Sequence, residues 1–271
     1  MGIMQPDSPA DAPRSVLARR PWRREELIAA FRLYCELSFG RLHHRNPEIM
    51  ALAKVLDRTP SSVAMKLVNL ASLDPAITAS GRKGLGNASE GDRRIWQEFH
   101  ADWTALEDES GEVFRQLGIP EPEVAGATEL LSPTGATSVE ALVQIRRGQA
   151  FFRRAVLASY GSQCCMSGLS EPGLLLASHI VPWASDAGNR LNPSNGLCLS
   201  ALHDRAFDNG LITVDTGYRV RVSPVLRSQA GNTLAKVWLL GLEGVQIRLP
   251  ERFLPDRQFL AWHMGTLFQA G

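Results

Sequence analysis

Cysteine is scarce, with four in 271 residues, too few to form a disulfide framework. That excludes small stapled scaffolds and fits a reducing cytosol. No apolar run approaches the ~18 residues of a membrane span, so no membrane partner is expected. The first twenty residues, MGIMQPDSPADAPRSVLARR, hold no apolar signal core, and the chain is read as cytoplasmic rather than secreted. No fixed-period repeat runs through it, which excludes solenoids. Neither sign of charge dominates: 29 Lys+Arg stand against 28 Asp+Glu, a formal net charge of +1. What is present is ordinary for a globular chain, 44% hydrophobic and 21% charged, enough for one large domain or two smaller ones.

The near-neutrality is a cancellation. Residues 20–94 carry 13 bases and 8 acids, and residues 139–222 carry 8 bases and 6 acids. Residues 95–138 between them carry 1 base and 9 acids. Two mildly basic segments joined by an acidic one remain compatible with a polyanionic partner.

The pattern along the chain is helical first. Residues 1–20 read as a flexible arm. From Trp22, Leu27, Phe31 and Tyr34 recur at helical spacing. Asn46-Pro47 and Thr59-Pro60 each combine an N-cap with a first-turn proline, opening a second and a third helix. A fourth is expected over 93–117 through Ile95, Trp96, Phe99, Trp103 and Leu106. Residues 119–138, rich in Pro, Gly, Ala and Thr, with acids but no bases, read as a linker. A further helix follows through Ala141, Leu142, Ile145, Phe152, Val156 and Leu157. Residues 210–215 and 218–222, separated by Thr216-Gly217, form a hairpin pattern; residues 245–249 suggest one more strand and 256–268 a closing helix. The expected fold class is α+β: an all-helical domain over 21–118 and a small α+β domain over 139–271.

Residues 164–215 concentrate the chemistry-bearing types. His179 follows an apolar run, Asn195 lies in a Pro/Ser/Asn turn, and His203 falls on a helix expected over 197–207. A strand, loop and helix in that order can gather these three polar groups around one ion-sized space. The competing reading is two satisfied histidines and an ordinary turn asparagine. The combined pattern is more specific: His179-Ile180-Val181-Pro182-Trp183, then Asn192-Pro193-Ser194-Asn195-Gly196-Leu197, Leu199, His203, Phe207-Asp208 and Gly210-Leu211. The lead-in has Arg147-Gly148-Gln149, Phe152-Arg153, Tyr160, Cys165 and Gly168. Over residues 144–268 this resembles the HNH endonucleases, which have a ββα-metal site, and within them a restriction-type subgroup.

The resemblance implies that His179 is the general base activating water against a phosphodiester and that Asn195 braces the loop. It implies that His203 helps hold one divalent cation, Mg2+ or Mn2+, stabilising charge on the phosphate. Many relatives carry Asp or His just before the base, where this chain has Ser178; Asp208 or Asp204 could complete the ion's ligands. Relatives that bind structural zinc use two CxxC pairs. Here Gly168 and Ala201 stand where the partners of Cys165 and Cys198 would be, so no structural zinc is expected, and Cys164, Cys165 and Cys198 read as buried thiols. Arg190, Arg153 and Arg154 are candidates for phosphate contact.

The segment 49–70 has the layout of a helix-turn-helix, with Ser61, Ser62 and Lys66 placed toward a DNA groove or phosphate. The loop Gly81-Arg82-Lys83-Gly84 adds two cations but lacks the spacing of a P-loop. A protein-interaction bundle fits the same pattern. Similar segments joined to HNH domains in restriction endonucleases imply a DNA reader, so double-stranded DNA is the expected partner. One such site cuts one strand, so a homodimer is expected at least on DNA. The alternative is a DNA-binding regulator with a degenerate HNH fold, for which Ser178 speaks.

Overall fold

The computed structural model describes residues 20–81, 84–119 and 139–271. Residues 1–19 of the expected arm over 1–20, most of the expected linker, and Arg82 and Lys83 lie outside the described residues.

Helix α1 (Arg24–Glu36) is the hub. It buries Leu27, Ile28, Ala29, Ala30, Phe31, Tyr34 and Cys35, apolar on more than one face because helices surround it. Around it pack α2 (Pro47–Val55), α3 (Pro60–Ala71), α5 (Glu90–Ala101), α6 (Trp103–Leu117) and α7 (Val139–Ser159); α4 (Pro75–Ala79) is one short turn. The expected caps form. The Asn46 side chain accepts from the Glu48 and Ile49 N–H groups, and that of Thr59 from Ser62 N–H.

The expected single helix over 93–117 is two helices. Asp102 takes an extended conformation and its carboxylate accepts from Thr104 and Ala105 N–H, ending α5 and capping α6. The aromatic spacing runs through the break because Phe99 and Trp103 both stack on Phe31 of α1.

After α7 come β1 (Leu175–His179), β2 (Gly196–Ser200) and α8 (Ala201–Asp208). Residues 197–200, expected as helix, are strand: a short apolar run fits either state, and antiparallel pairing with β1 decides it. The register sets His179 opposite Gly196 and Leu175 opposite Ser200. The second hairpin, β3 (Ile212–Val214) and β4 (Val220–Val222), falls where its turn residues placed it. Residues 245–249 form no strand, only a bridge between Arg219 and Gln246. Then follow α9 (Thr233–Trp238) and α10 (Arg257–Thr266), the latter capped by Asp256. The whole is α+β, helical toward the N-terminus, with its small sheets in and around the 164–215 segment. Among the described residues no helix is long and apolar enough to cross a membrane.

One continuous buried apolar cluster runs from α1 to α10. Charges tie the helical part to the α+β part. Glu36, at the end of α1, is held by Arg32 at 2.5 Å and by Arg154 of α7 at 2.9 Å. Burial would raise its carboxyl, but the two guanidinium groups outweigh that and lower it. Arg252, fully buried, donates to the carbonyls of Tyr34, Cys35 and Leu37, capping α1 from a segment more than 200 residues away. Arg252→Ala would leave those carbonyls without donors beside a cavity. It should lower stability by about 3 kcal/mol, read as an earlier denaturation midpoint.

Burial also fixes two structural histidines in the neutral form. His100 stacks on Trp96 at 4.0 Å and His263 on Phe207 at 3.7 Å, and burial lowers each to about 4. Unfolded, both rings take protons near ~6.5, so the unfolded state binds more protons in the window between. Stability present above pH ~6.5 should therefore be lost progressively as pH falls to about 4. In melts from pH 7 to pH 4, His100→Phe should show a smaller loss than the unaltered protein.

Candidate functional site

The β1–β2 hairpin lies between α7 and α8. Gly196 faces α7 so closely that a Cβ there would meet Val156 Cγ2 at 2.4 Å and Phe152 Cζ at 2.9 Å. Across from it the His179 ring lies flat on Phe152, centroids 3.8 Å apart and planes 8° apart, with Trp183 edge-on at 5.7 Å. Side chains alternate along a strand, so Ser178 faces the α8 side. Its hydroxyl is buried and has no hydrogen-bond partner among the described residues.

His179 Nε2 lies 2.8 Å from the Arg190 carbonyl. Only an N–H can satisfy a carbonyl, so the proton sits on Nε2 and Nδ1 carries the lone pair. Burial lowers the ring to about 4, against the opposing pull of that carbonyl, so it is neutral at physiological pH. Arg190 is itself held: its Nε donates to the Trp183 carbonyl and its guanidinium lies 5.2 Å over the Trp183 ring.

Asn195 is fully buried and clamps the loop between the strands. Its Oδ1 accepts from Val181 N–H at 2.8 Å; its Nδ2 donates to the carbonyls of Val181 and Asn189. Its own carbonyl accepts from Ile180 N–H. His179, Asn195 and Arg190 are thus brought together.

His203 stands apart from that group. It is 1% exposed, and its polar contacts are with other residues. Nδ1 lies 3.1 Å from Ser200 Oγ and 3.4 Å from Cys164 Sγ, and Nε2 lies 2.9 Å from the Trp238 carbonyl. Burial alone would push the Cys164 thiol up, but hydrogen bonds from His203 and Ser167 bring it down to about 6. The imidazole moves the other way: burial works against its proton, and the Cys164 and Trp238 contacts outweigh this and raise it.

Asp208 was expected to join His203 at an ion. Asp208 is exposed, five residues on and so about 140° around α8. Among the described residues no three His, Cys, Asp or Glu side chains form a metal-holding group. Mg2+ takes oxygen ligands, chiefly carboxylates and waters, and the imidazole, thiol and hydroxyl gathered here do not fit it.

Other expected contacts also differ. Lys66, expected to face phosphate, is buried with Nζ 2.7 Å and 2.9 Å from the two oxygens of Asp92, so it braces α3 against α5. Ser61 is exposed and Ser62 half-buried at the start of α3. Arg154 is taken up by Glu36, and Arg153 donates to the Leu175 carbonyl. Sequence reasoning took Phe152 only as an apolar motif position and Cys164 only as a buried thiol, and passed over the carbonyls of Arg190 and Trp238. Backbone acceptors and stacking partners leave no residue-type signal.

Asn195→Ala should leave the Val181 and Asn189 groups unpaired in a buried loop, costing about 2–4 kcal/mol. Equilibrium unfolding should show the loss, and Asn195→Asp, which sets a buried carboxylate against the Val181 and Asn189 carbonyls, should not relieve it.

No curated protein matches the chain at a significant level. Residues 164–215, the stretch containing the β1–β2–α8 unit, match the family model for HNH endonuclease, a likeness that points to nuclease activity on DNA and to a family that generally uses a divalent metal.

Proposed function

We propose that the protein is a DNA endonuclease of restriction type, hydrolysing phosphodiester bonds with His179 as general base. The observation that carries this reading is the contact of His179 Nε2 with the Arg190 carbonyl, which leaves Nδ1 of the neutral ring as the lone-pair nitrogen. A water oxygen attacks phosphorus and its proton passes to Nδ1. The bond to the leaving oxygen then breaks, and that oxygen takes a proton from solvent. A ring held near 4 is a weak base in the free protein, but a phosphate beside it favours the protonated ring and raises its basicity as the reaction needs. Asn195 holds the loop that carries His179 and Arg190 in one geometry. Arg190, half-buried above Trp183, is the best placed arginine to meet the scissile phosphate.

The helical part is proposed to read DNA. Ser61 and Ser62 at the start of α3 are available for phosphate or groove contact, and Arg82 and Lys83 are proposed to add charge. One such site cuts one strand, so a double-strand break calls for two copies on DNA.

A second reading is a DNA-binding regulator with an inactive HNH fold. Ser178 stands where many relatives have an ion ligand, and His203 has both ring nitrogens engaged by the protein.

The test is incubation of the full chain with modified and unmodified plasmid DNA in Mg2+ or Mn2+, beside His179→Ala. Nicked or linear product is expected from the unaltered protein, with a loss of about 100-fold or more in the variant. Equal cutting by both would remove His179 from its role. No cutting by either, with DNA still retarded in gels, would favour the regulator. Replacing both Arg82 and Lys83 by Ala should weaken DNA binding and flatten its dependence on salt.

A further inference from the structure

Many bases of the helical part are matched by its own acids. Arg32, Arg58 and Lys66 are held by Glu36, Glu26 and Asp92, and Arg94 and Arg115 by acids on their own helices. The loop leading into α2 is different. Arg41, His43, His44 and Arg45 are all exposed, and the acid beside them, Glu48, meets Arg41 at 3.3 Å. Among the described residues Arg45 has no side-chain hydrogen bond or ion pair, and neither has Lys54 of α2.

The loop is held in one shape. Leu42 is buried, and so is Asn46, whose Nδ2 donates to the Arg41 carbonyl and whose N–H donates to that of His43. An exposed stripe continues along α2, where Pro47, Ala51 and Lys54 recur at spacings of four and three. From Pro47 to Lys54 that stripe runs about 10 Å at ~1.5 Å per residue. It carries small side chains between a basic loop at one end and an ammonium at the other. Such a surface can lie close against a polyanion, and neither Arg45 nor Lys54 has an ion pair to break on meeting a phosphate. The two imidazoles each offer an N–H whichever ring nitrogen holds the proton.

We propose that the 41–45 loop and Lys54 form a clamp on the phosphate backbone of duplex DNA. The proposal rests on the reading of the protein as a nuclease acting on DNA. It places the phosphate contacts on α2 and its lead-in, the helix that crosses the backbone in helix-turn-helix readers, while α3 offers only hydroxyls at its start. The clamp is fastened to the HNH part. Phe39 N–H, just before the loop, donates to the Glu251 carboxylate, and Glu251 N–H donates to the Ser159 carbonyl at the end of α7. Since α7 also carries Phe152 beneath His179, a duplex gripped here is held in fixed relation to the proposed base.

The experiment measures anisotropy of two labelled duplexes of unrelated sequence with the full chain, over a range of salt and in EDTA so that no strand is cut. Arg45→Gln with Lys54→Gln should weaken binding to both duplexes about tenfold and lower the log–log salt slope by about 2. Arg94→Gln with Arg115→Gln removes the same charge from exposed positions elsewhere and should leave binding within about twofold. Circular dichroism checks the fold of each variant, and Arg45→Gln alone, outside any helix, serves if the pair disturbs α2. Unchanged binding in the Arg45 and Lys54 variant, or equal loss in both double variants, would overturn the clamp. Loss on one duplex only would mean base reading and overturn the backbone assignment. Failure of the unaltered protein to bind either duplex would overturn the DNA reading together with the clamp, a result distinct from the others.

Discussion

Helix α7 is held between α1 and the hairpin, and the geometry of the candidate site follows from that placement. On one side Arg154 reaches Glu36 of α1, an acid already bound by Arg32. On the other, Phe152 lies flat beneath His179 and Val156 fills the space above the bare backbone of Gly196. A displacement of α7 would therefore move the proposed base. Close-packed interiors transmit such shifts because few voids exist to absorb them. Arg252 reinforces the arrangement by donating to three carbonyls at the end of α1, so the helical and α+β parts share both a core and a charged seam.

His179 and His203 are set by the same device and differ in surroundings. Each has Nε2 against a backbone carbonyl, but Nδ1 of His203 is also engaged, by Ser200 and Cys164. Around His179 the neighbours are aromatic rings, so burial dominates and the ring stays neutral. Around His203 they are a thiol and a hydroxyl, and the Cys164 contact pulls the proton balance the other way. Proton acceptance from water suits the first environment, and the second serves to tie α8 to its neighbours.

Local signals in the sequence were dependable. Asn46-Pro47 and Thr59-Pro60 open α2 and α3 because capping is settled within four residues. Thr216-Gly217 sits in the β3–β4 turn for the same reason. Signals that needed a partner were not. The aromatic period across residue 102 concealed a helix break, because both helices present their rings to α1. The run 197–200 is compatible with helix or strand until β1 pairs with it. Lys66 looks like a phosphate contact until Asp92, 26 residues away, takes its ammonium.

The four cysteines follow the same division. Their number alone excluded a disulfide framework, and their spacing excluded a paired-CxxC centre; both conclusions rest on counting along the chain. The position of His179 after an apolar run, and of Asn195 in a polar turn, was equally visible there, since strand and turn propensities are local. Only the tertiary structure set Cys164 beside His203, 39 residues on. Ligand sets and ring tautomers depend on distances across elements, and residue types in order do not contain those distances.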